Sequence, residues 1–259
     1  MAVKRSHRVK RIIQSVAGVL AEPAARPAIP TKLAYKAPAD VQTVPTGFRP
    51  IDKALGIGGL PCGKITELIG SGASPIGSGT TCLTAKIAAK VQRQQEIVTI
   101  IDMNQSFDPW QAERCGLIAP QVLIARPDTL LAALATLESA ARNSKLVIVV
   151  MGIVTGLLQH VEPESLKTLH RRLENIVKHS ESVFIFVTTP SNKDPFNPSN
   201  YPDGFPLTDL AEIRLWVQEE SWSHEAGLVT AYKANITVIK NRLAVAGKGA
   251  DIRLKLAGT

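Results

Sequence analysis

ELIGSGASPIGSGTTCLT, residues 67–84, reads as the end of an apolar strand, a loop with four glycines and the start of a threonine-rich helix. Such a junction aims several backbone N–H groups at one point, and the helix dipole adds partial positive charge there, so phosphate is the natural ligand. A working nucleotide site adds a lysine that reaches the β and γ phosphates and a Ser/Thr that holds Mg²⁺, in the pattern G-x-x-x-x-G-K-[ST]. Gly72 and Gly77 have the glycine spacing, but Ser78 and Gly79 follow where the lysine and hydroxyl belong. Taking Thr80 as the magnesium residue instead puts Gly79 in the lysine position, so neither register supplies the lysine. By itself the stretch leaves open a plain glycine-rich turn that only joins a strand to a helix.

Outward from the loop, short apolar runs alternate with helical patterns: ITELI (65–69), IVTII (97–101), QVLIA (121–125), LVIVV (146–150) and SVFIFV (182–187). Each is rich in β-branched residues and apolar at successive positions, as strands buried on both faces require, which predicts an α/β fold with a mainly parallel sheet covered by helices. Asp128 is placed to cap a helix carrying Leu130, Leu131, Leu134 and Leu137, and residues 163–179 put Leu166, Leu169, Leu173, Ile176 and Val177 on one stripe. His170 falls on the solvated side of that second helix with no further ligand at helical spacing, which argues against a metal there. Residues 190–209 hold five prolines and read as a long structureless loop. AEIRLWV, LVTAYKANITVIKNRLAVAG and ADIRLKLAG alternate more strongly and read as antiparallel strands at one edge, in which Trp216 and Trp222 are packing residues rather than base-stacking platforms.

The chain has 259 residues, 45% of them hydrophobic, enough for one substantial core, and no run approaches the length of a membrane-spanning helix. Its formal charge of +8 is uneven. Up to Lys36 the basic residues are Lys4, Arg5, Arg8, Lys10, Arg11, Arg26, Lys32 and Lys36, against the single acid Glu22. The basic character therefore belongs to an arm able to track a phosphate backbone, rather than to the body. Three parts are expected: a basic arm with a short helix (1–21), a Pro/Ala-rich linker (22–40) and a core domain (41–259). Basic residues before Ile12–Ala21 resemble a presequence, but Gln14, Ser15 and Gly18 interrupt the run, while Ile12, Ile13, Val16, Val19 and Leu20 share one side of a docking helix. Cys62, Cys82 and Cys115 are odd in number and unpaired in spacing, as for reduced thiols of a cytoplasmic protein.

With its surroundings in view, the chain resembles the RecA/RadA-type recombinases, over most of residues 43–259. TVPTGFRPIDKALGIGGLPCGKITELIG is similar to the segment that leads into the family's first core strand. IDMNQSFDPWQAERCGL, VLIARPDT, LVIVV and VIKNRLAVAGKGADIRLKL follow in the family's order. The resemblance implies a RecA-like P-loop fold with antiparallel strands at the C-terminal end, and no counterpart of the family's separate C-terminal domain. Carried over residue by residue, Gly72, Gly77, Ser78, Gly79, Thr80 and Thr81 are a vestigial phosphate loop, and Asp108 matches the aspartate that faces adenine. Gln111 stands where the family has a stacking aromatic, with Trp110 beside it. The family's catalytic glutamate corresponds to Asn104, its magnesium-organising acid to Met151, followed by Gly152, and its nucleotide-sensing glutamine to Thr189. Lys240 and Arg242 match two lysines that reach a neighbouring subunit's nucleotide. The loop 190–209 stands in the place of a DNA-contacting loop, but Lys193 is its only basic residue.

An amide cannot take a proton from water as a carboxylate can, and a thioether is a poor Mg²⁺ ligand. The expectation is a RecA-like recombination, repair or damage-response (SOS) protein that has lost hydrolysis. ATP is then at most a bound ligand, Mg²⁺ is doubtful, and no other metal or cofactor is expected. Its partners would be DNA, single-stranded in particular, and either copies of itself or a hetero-filament with an active RecA, with no membrane. Lys4, Arg5, Arg8, Lys10 and Arg11 would supply the DNA contact. Two alternatives stay open: a slow DNA-dependent ATPase in which Lys64, Lys86 or a partner's residue replaces the lysine, and a diverged ImuA-like accessory factor for translesion synthesis.

Overall fold

The computed structural model describes residues 41–70, 79–158, 161–191, 194–201, 204–225 and 228–256. These lie within the second of two units into which the chain divides, residues 31–259. The basic arm, most of the glycine loop, Lys193 and the side chain of Trp222 fall outside the described residues.

A two-stranded antiparallel piece, β1 (Thr43–Val44) with β2 (Leu60–Pro61), brackets α1 (Arg49–Leu55). The core then runs β3 (Lys64–Gly70), α2 (Thr80–Gln92), β4 (Val98–Asp102), α3 (Pro109–Arg114), β5 (Val122–Ala125), α4 (Leu130–Asn143) and β6 (Leu146–Ile153). It continues through α5 (Val154–Leu157), α6 (Pro163–Lys178), β7 (Val183–Thr189), α7 (Leu207–Leu210), β8 (Ala211–Glu225), β9 (Leu228–Asn241) and β10 (Gly249–Lys255). Eight strands form one sheet in the order β10-β9-β8-β3-β7-β6-β4-β5. From β8 to β5 all neighbours are parallel, and β9 and β10 add antiparallel at the other end.

Burial on both faces is what the unbroken apolar runs demanded, and β3, β4 and β7 are buried along nearly their whole length. One face packs on α2 through residues such as Leu68, Ile100, Ile148 and Leu83. The other packs on α4 and α6 through Ile65, Val147, Phe184, Leu137 and Leu173. The predicted stripe of α6 is buried as read, Leu166, Leu169, Leu173, Ile176 and Val177 included.

Four expectations are corrected. β5 is an edge strand, so Leu123 (57% exposed) and Ile124 (37%) face outward although the run reads like its buried siblings. The cap of α4 is Thr129, whose hydroxyl accepts from Ala132 N–H at 3.1 Å, not Asp128. With that phase Leu131 points to solvent, and the buried face is Ala133, Leu134, Leu137 and Ala140. Finally, 190–209 is not structureless: it holds a 3-10 turn at Pro198–Asn200 and the helix α7, and it buries Asn200, Phe205 and Leu207.

Thr66 sits in β3 with no exposure, and its hydroxyl has no hydrogen-bond partner among the described residues. A buried unpaired hydroxyl costs folding energy, so Thr66→Val should raise stability by about 1 kcal/mol. A higher urea midpoint at unchanged slope is the expected reading, and a lower midpoint would mean that the hydroxyl is satisfied.

Candidate functional site

The C-terminal ends of β3, β4, β6 and β7 converge on the N-terminus of α2, where the fold positions a ligand loop. Gly72, Gly77 and Ser78 lie outside the described residues, and Gly79 is the N-cap of α2. Its φ of 75° is left-handed, which favours glycine. The Gly79 carbonyl accepts from Leu83 N–H at 2.9 Å, closing the first helical turn, and also from the Tyr232 hydroxyl at 2.9 Å. A Cβ placed on Gly79 would stand 2.6 Å from Cε2 of Tyr232. Thr80 is buried and Thr81 half-buried, and the Thr84 hydroxyl turns back to the carbonyls of both at 2.9 Å.

Asp102 ends β4 as a fully buried carboxylate, accepting from Ser106 N–H (3.1 Å), Phe107 N–H (3.0 Å) and Arg126 Nε (3.2 Å). That turn carries Asn104, whose Oδ1 accepts from the Ser106 hydroxyl at 2.8 Å. A Cβ on Gly152, at φ +63°, would meet Asn104 Nδ2 at 2.5 Å, so the amide is wedged against the β6 backbone. The ladder between β6 and β7 shifts register between Val150 and Gly152. Met151 alternates with Val147 and Val149 onto the α4–α6 side, lining a small apolar cavity with Leu134, Leu169, Phe186 and Phe205. Val150 instead lines a narrow space with Thr81, Thr84, Ser106 and Phe107. Thr189, at the end of β7, is buried.

The space that Val150 shares with Thr81, Thr84 and Ser106 thus offers hydroxyls but no carboxylate to a hard cation. Among the described residues no acidic side chain lines that space, and no group of three His, Cys, Asp or Glu able to hold a metal occurs. These residues do not fit a Mg²⁺-nucleotide in its hydrolytic arrangement. Neither candidate substitute lysine is placed to help. Lys86 Nζ contacts the Cys115 carbonyl at 3.4 Å, and Lys64 begins β3, about 20 Å of strand away from the loop.

Asp108 is exposed and caps α3, its Oδ1 accepting from Trp110 N–H at 2.9 Å. Trp110 is 59% exposed, with the Arg114 guanidinium 5.4 Å over its ring, and Arg114 Nη2 donates to the Val229 carbonyl at 2.8 Å. Lys240 is turned onto its own chain, donating to the Thr208 carbonyl at 2.7 Å. Burial, and then the charges of Arg242 and Arg214, push its pKa down to about 8. Arg242 is exposed just past β9. A concavity of about 900 Å³ lies between the N-termini of α4 and α6, with Met103 and Gln105 in its lining beside Asp128, Glu162, Glu164 and Arg172.

Residue reading along the chain missed a buried network beside the site. Glu67, fully buried in β3, receives Arg214 Nε at 2.5 Å and the Thr188 hydroxyl at 2.8 Å, and it also accepts from the Tyr201 hydroxyl. Arg214 Nη2 reaches the Tyr201 hydroxyl at 3.0 Å, and Arg214 lies 5.3 Å over the Tyr201 ring, which stacks on Phe205. Burial, and then the Glu67 charge, hold the Tyr201 phenol above its ordinary pKa, so it remains a donor. The signal was available: a single acid inside ITELI and a single base inside EIRLWV are charges in buried strands, which must find each other.

The family model for the RecA N-terminal domain matches residues 26–258. Protein RecA of Herpetosiphon aurantiacus is 29% identical over 220 residues, covering 79% of this chain and 60% of that protein. Protein RecA of Thermus thermophilus is 29% identical over 231 residues, covering 83% of this chain and 67% of that protein. With that model matching most of its length, the chain belongs to the RecA N-terminal domain family.

Proposed function

We propose that this protein is a RecA-like recombination or repair factor that no longer hydrolyses ATP and acts as a DNA-binding or filament-modulating accessory. The observation that carries this reading is Gly79, in the lysine position of one register, with the Tyr232 ring in the space its side chain would need. Asn104, wedged beside Gly152, and Val150, opposite Thr81, supply neither a base nor a metal ligand. Without lysine, metal and base, transition-state stabilisation falls by several kcal/mol. Lys64, a strand's length from the loop, and Lys86, engaged at the Cys115 carbonyl, weigh against a substitute-lysine ATPase.

Assembly is the function that remains open to such a fold. β5 ends the sheet with exposed Leu123 and Ile124 and, among the described residues, no strand on its outer side, a surface suited to strand addition by another chain. Arg242, exposed at the end of β9, is free to meet an anion on a neighbour, and Lys240 would have to leave its own α7 to do the same. The first test is phosphate release, with and without single-stranded DNA, alongside filament assembly of an active RecA with this protein added. No release above background and a changed rate or length of assembly are expected. Turnover that survives purification and disappears in Thr80→Ala would overturn the reading, as would no effect on either DNA or filaments.

A further inference from the structure

We propose that Cys82 and Cys115 form a two-thiol oxidation site that hydrogen peroxide converts to a disulfide, stapling the first turn of α2 to the end of α3. The two residues are far apart in the sequence, and the fold brings them together. Cys82 lies in the first turn of α2, and Cys115 is the C-cap of α3. Positions 82, 86 and 89 share one face of α2, and the last two show where that face points. Lys86 Nζ reaches the Cys115 carbonyl at 3.4 Å, and a Cβ on Gly116 would stand 4.0 Å from Cβ of Ala89. One turn earlier on the same face, the Cys82 sulfur shares a hydrogen bond with the Cys115 thiol. Both side chains are buried, and both are free thiols.

A buried cysteine ordinarily packs as a small apolar group. This pair differs in having each other as partners and the cations Lys86 and Arg114 as neighbours. The bond from Cys115 holds the Cys82 thiol below its ordinary pKa although burial opposes it, and the same bond, together with burial, holds Cys115 above. Cys82 is therefore the nucleophile and Cys115 the resolving thiol. The Cys82 thiolate attacks one oxygen of the peroxide, the O–O bond breaks, and the departing hydroxide takes the proton that Cys82 gave up. Cys115 then attacks the resulting sulfenic acid at sulfur, the S–O bond breaks, and the second hydroxide leaves as water with the Cys115 proton. The two sulfurs together lose two electrons, and the peroxide is reduced to two waters. The bridge would join the helix that carries Thr80 and Thr81 to the helix that Asp108 caps, so oxidation fixes the spacing between these two parts of the candidate site.

The test uses the full chain, reduced, freed of reductant, treated with hydrogen peroxide, alkylated under denaturing conditions and digested for mass spectrometry. A linked Cys82–Cys115 peptide, lighter by two hydrogens, is expected, with the half-buried Cys62 still alkylated. Alkylation of both Cys82 and Cys115 at a dose that oxidises Cys62, or a link that includes Cys62, would overturn the proposal. Cys115→Ser should leave Cys82 as a sulfenic acid that dimedone captures, and Cys82→Ser should leave Cys115 uncaptured. The opposite pattern would overturn the assignment of nucleophile and resolving thiol. A bridge between these positions constrains the unfolded chain, so Tm of the oxidised protein should rise by roughly 10 °C and return with dithiothreitol. A Tm that falls or does not move would mean that the bridge forms only where the fold has opened, and would overturn the staple. None of these measurements involves nucleotide, DNA or filaments, so this inference and the accessory role fail separately.

Discussion

Arg214→Met should lower the stability of the folded protein by about 3–5 kcal/mol, the scale for removing one partner of a buried ion pair. The reason is Glu67. Its side chain is fully buried in the central strand, and Arg214 is only 13% exposed, so neither can turn to water. With the guanidinium gone, the Thr188 and Tyr201 hydroxyls still donate to one carboxylate oxygen, while the other loses its partner. Replacing both charges, as Glu67→Leu with Arg214→Leu, should return most of the loss, since a buried pair exchanged for hydrocarbon of similar volume is close to neutral. The effect should also reach the loop. Tyr201 would lose both a hydrogen bond and the cation over its ring, releasing the middle of 190–209. Urea midpoints of the single and double variants, with the rate of proteolytic cutting in that loop, test both parts. A single-variant loss under about 1 kcal/mol would mean that the pair is effectively solvated.

That network also shows where the sequence was readable and where it was not. Runs such as VFIFV and LVIVV carry their own evidence, because a strand covered on both faces has to be apolar at every position. β5 carries the same local pattern, and only the absence of a further neighbour among the described residues makes Leu123 and Ile124 exposed. A residue pattern describes a strand, not its rank in the sheet. The cap of α4 turned on one residue, Asp128 against Thr129, both acceptable caps, and choosing wrongly moved Leu131 to the wrong face. In 190–209 the prolines and polar residues suggested a loop without contacts, because Glu67 lies 134 positions from the hydroxyl of Tyr201 that holds it.

At the site, the missing lysine is legible in the residues, while the contact between Tyr232 and Gly79 is not. Tyr232 lies 153 positions from Gly79, so no local motif links them. Met151 illustrates the opposite case. The resemblance placed it at the family's magnesium-organising acid, but ordinary alternation along β6 puts it with Val147 and Val149 on the α4–α6 face, and Val150 with Ile148 on the side of Thr81. Neither Met151 nor Val150 carries a side-chain oxygen that a hard cation could use.

Replacing Lys4, Arg5, Arg8, Lys10 and Arg11 with glutamine should remove most of the protein's affinity for single-stranded DNA. Formal charge beyond Lys36 nets +1, against +7 up to that residue, so the body has little electrostatic attraction of its own for a polyanion. Each phosphate contacted on a single strand contributes a slope of about 0.7 in the dependence of log affinity on log salt. Five contacts give a slope near 3.5, so raising salt from about 50 to 200 mM should weaken the wild type about 100-fold more than the variant. Anisotropy of a labelled oligothymidylate across that range measures the slope directly. If DNA instead meets the Pro-rich loop, the slope will survive the five substitutions, and the arm will have no part in DNA contact. If the slope collapses while filament effects persist, DNA contact and assembly belong to different parts of the chain, the arm for the first and the exposed β5 edge for the second.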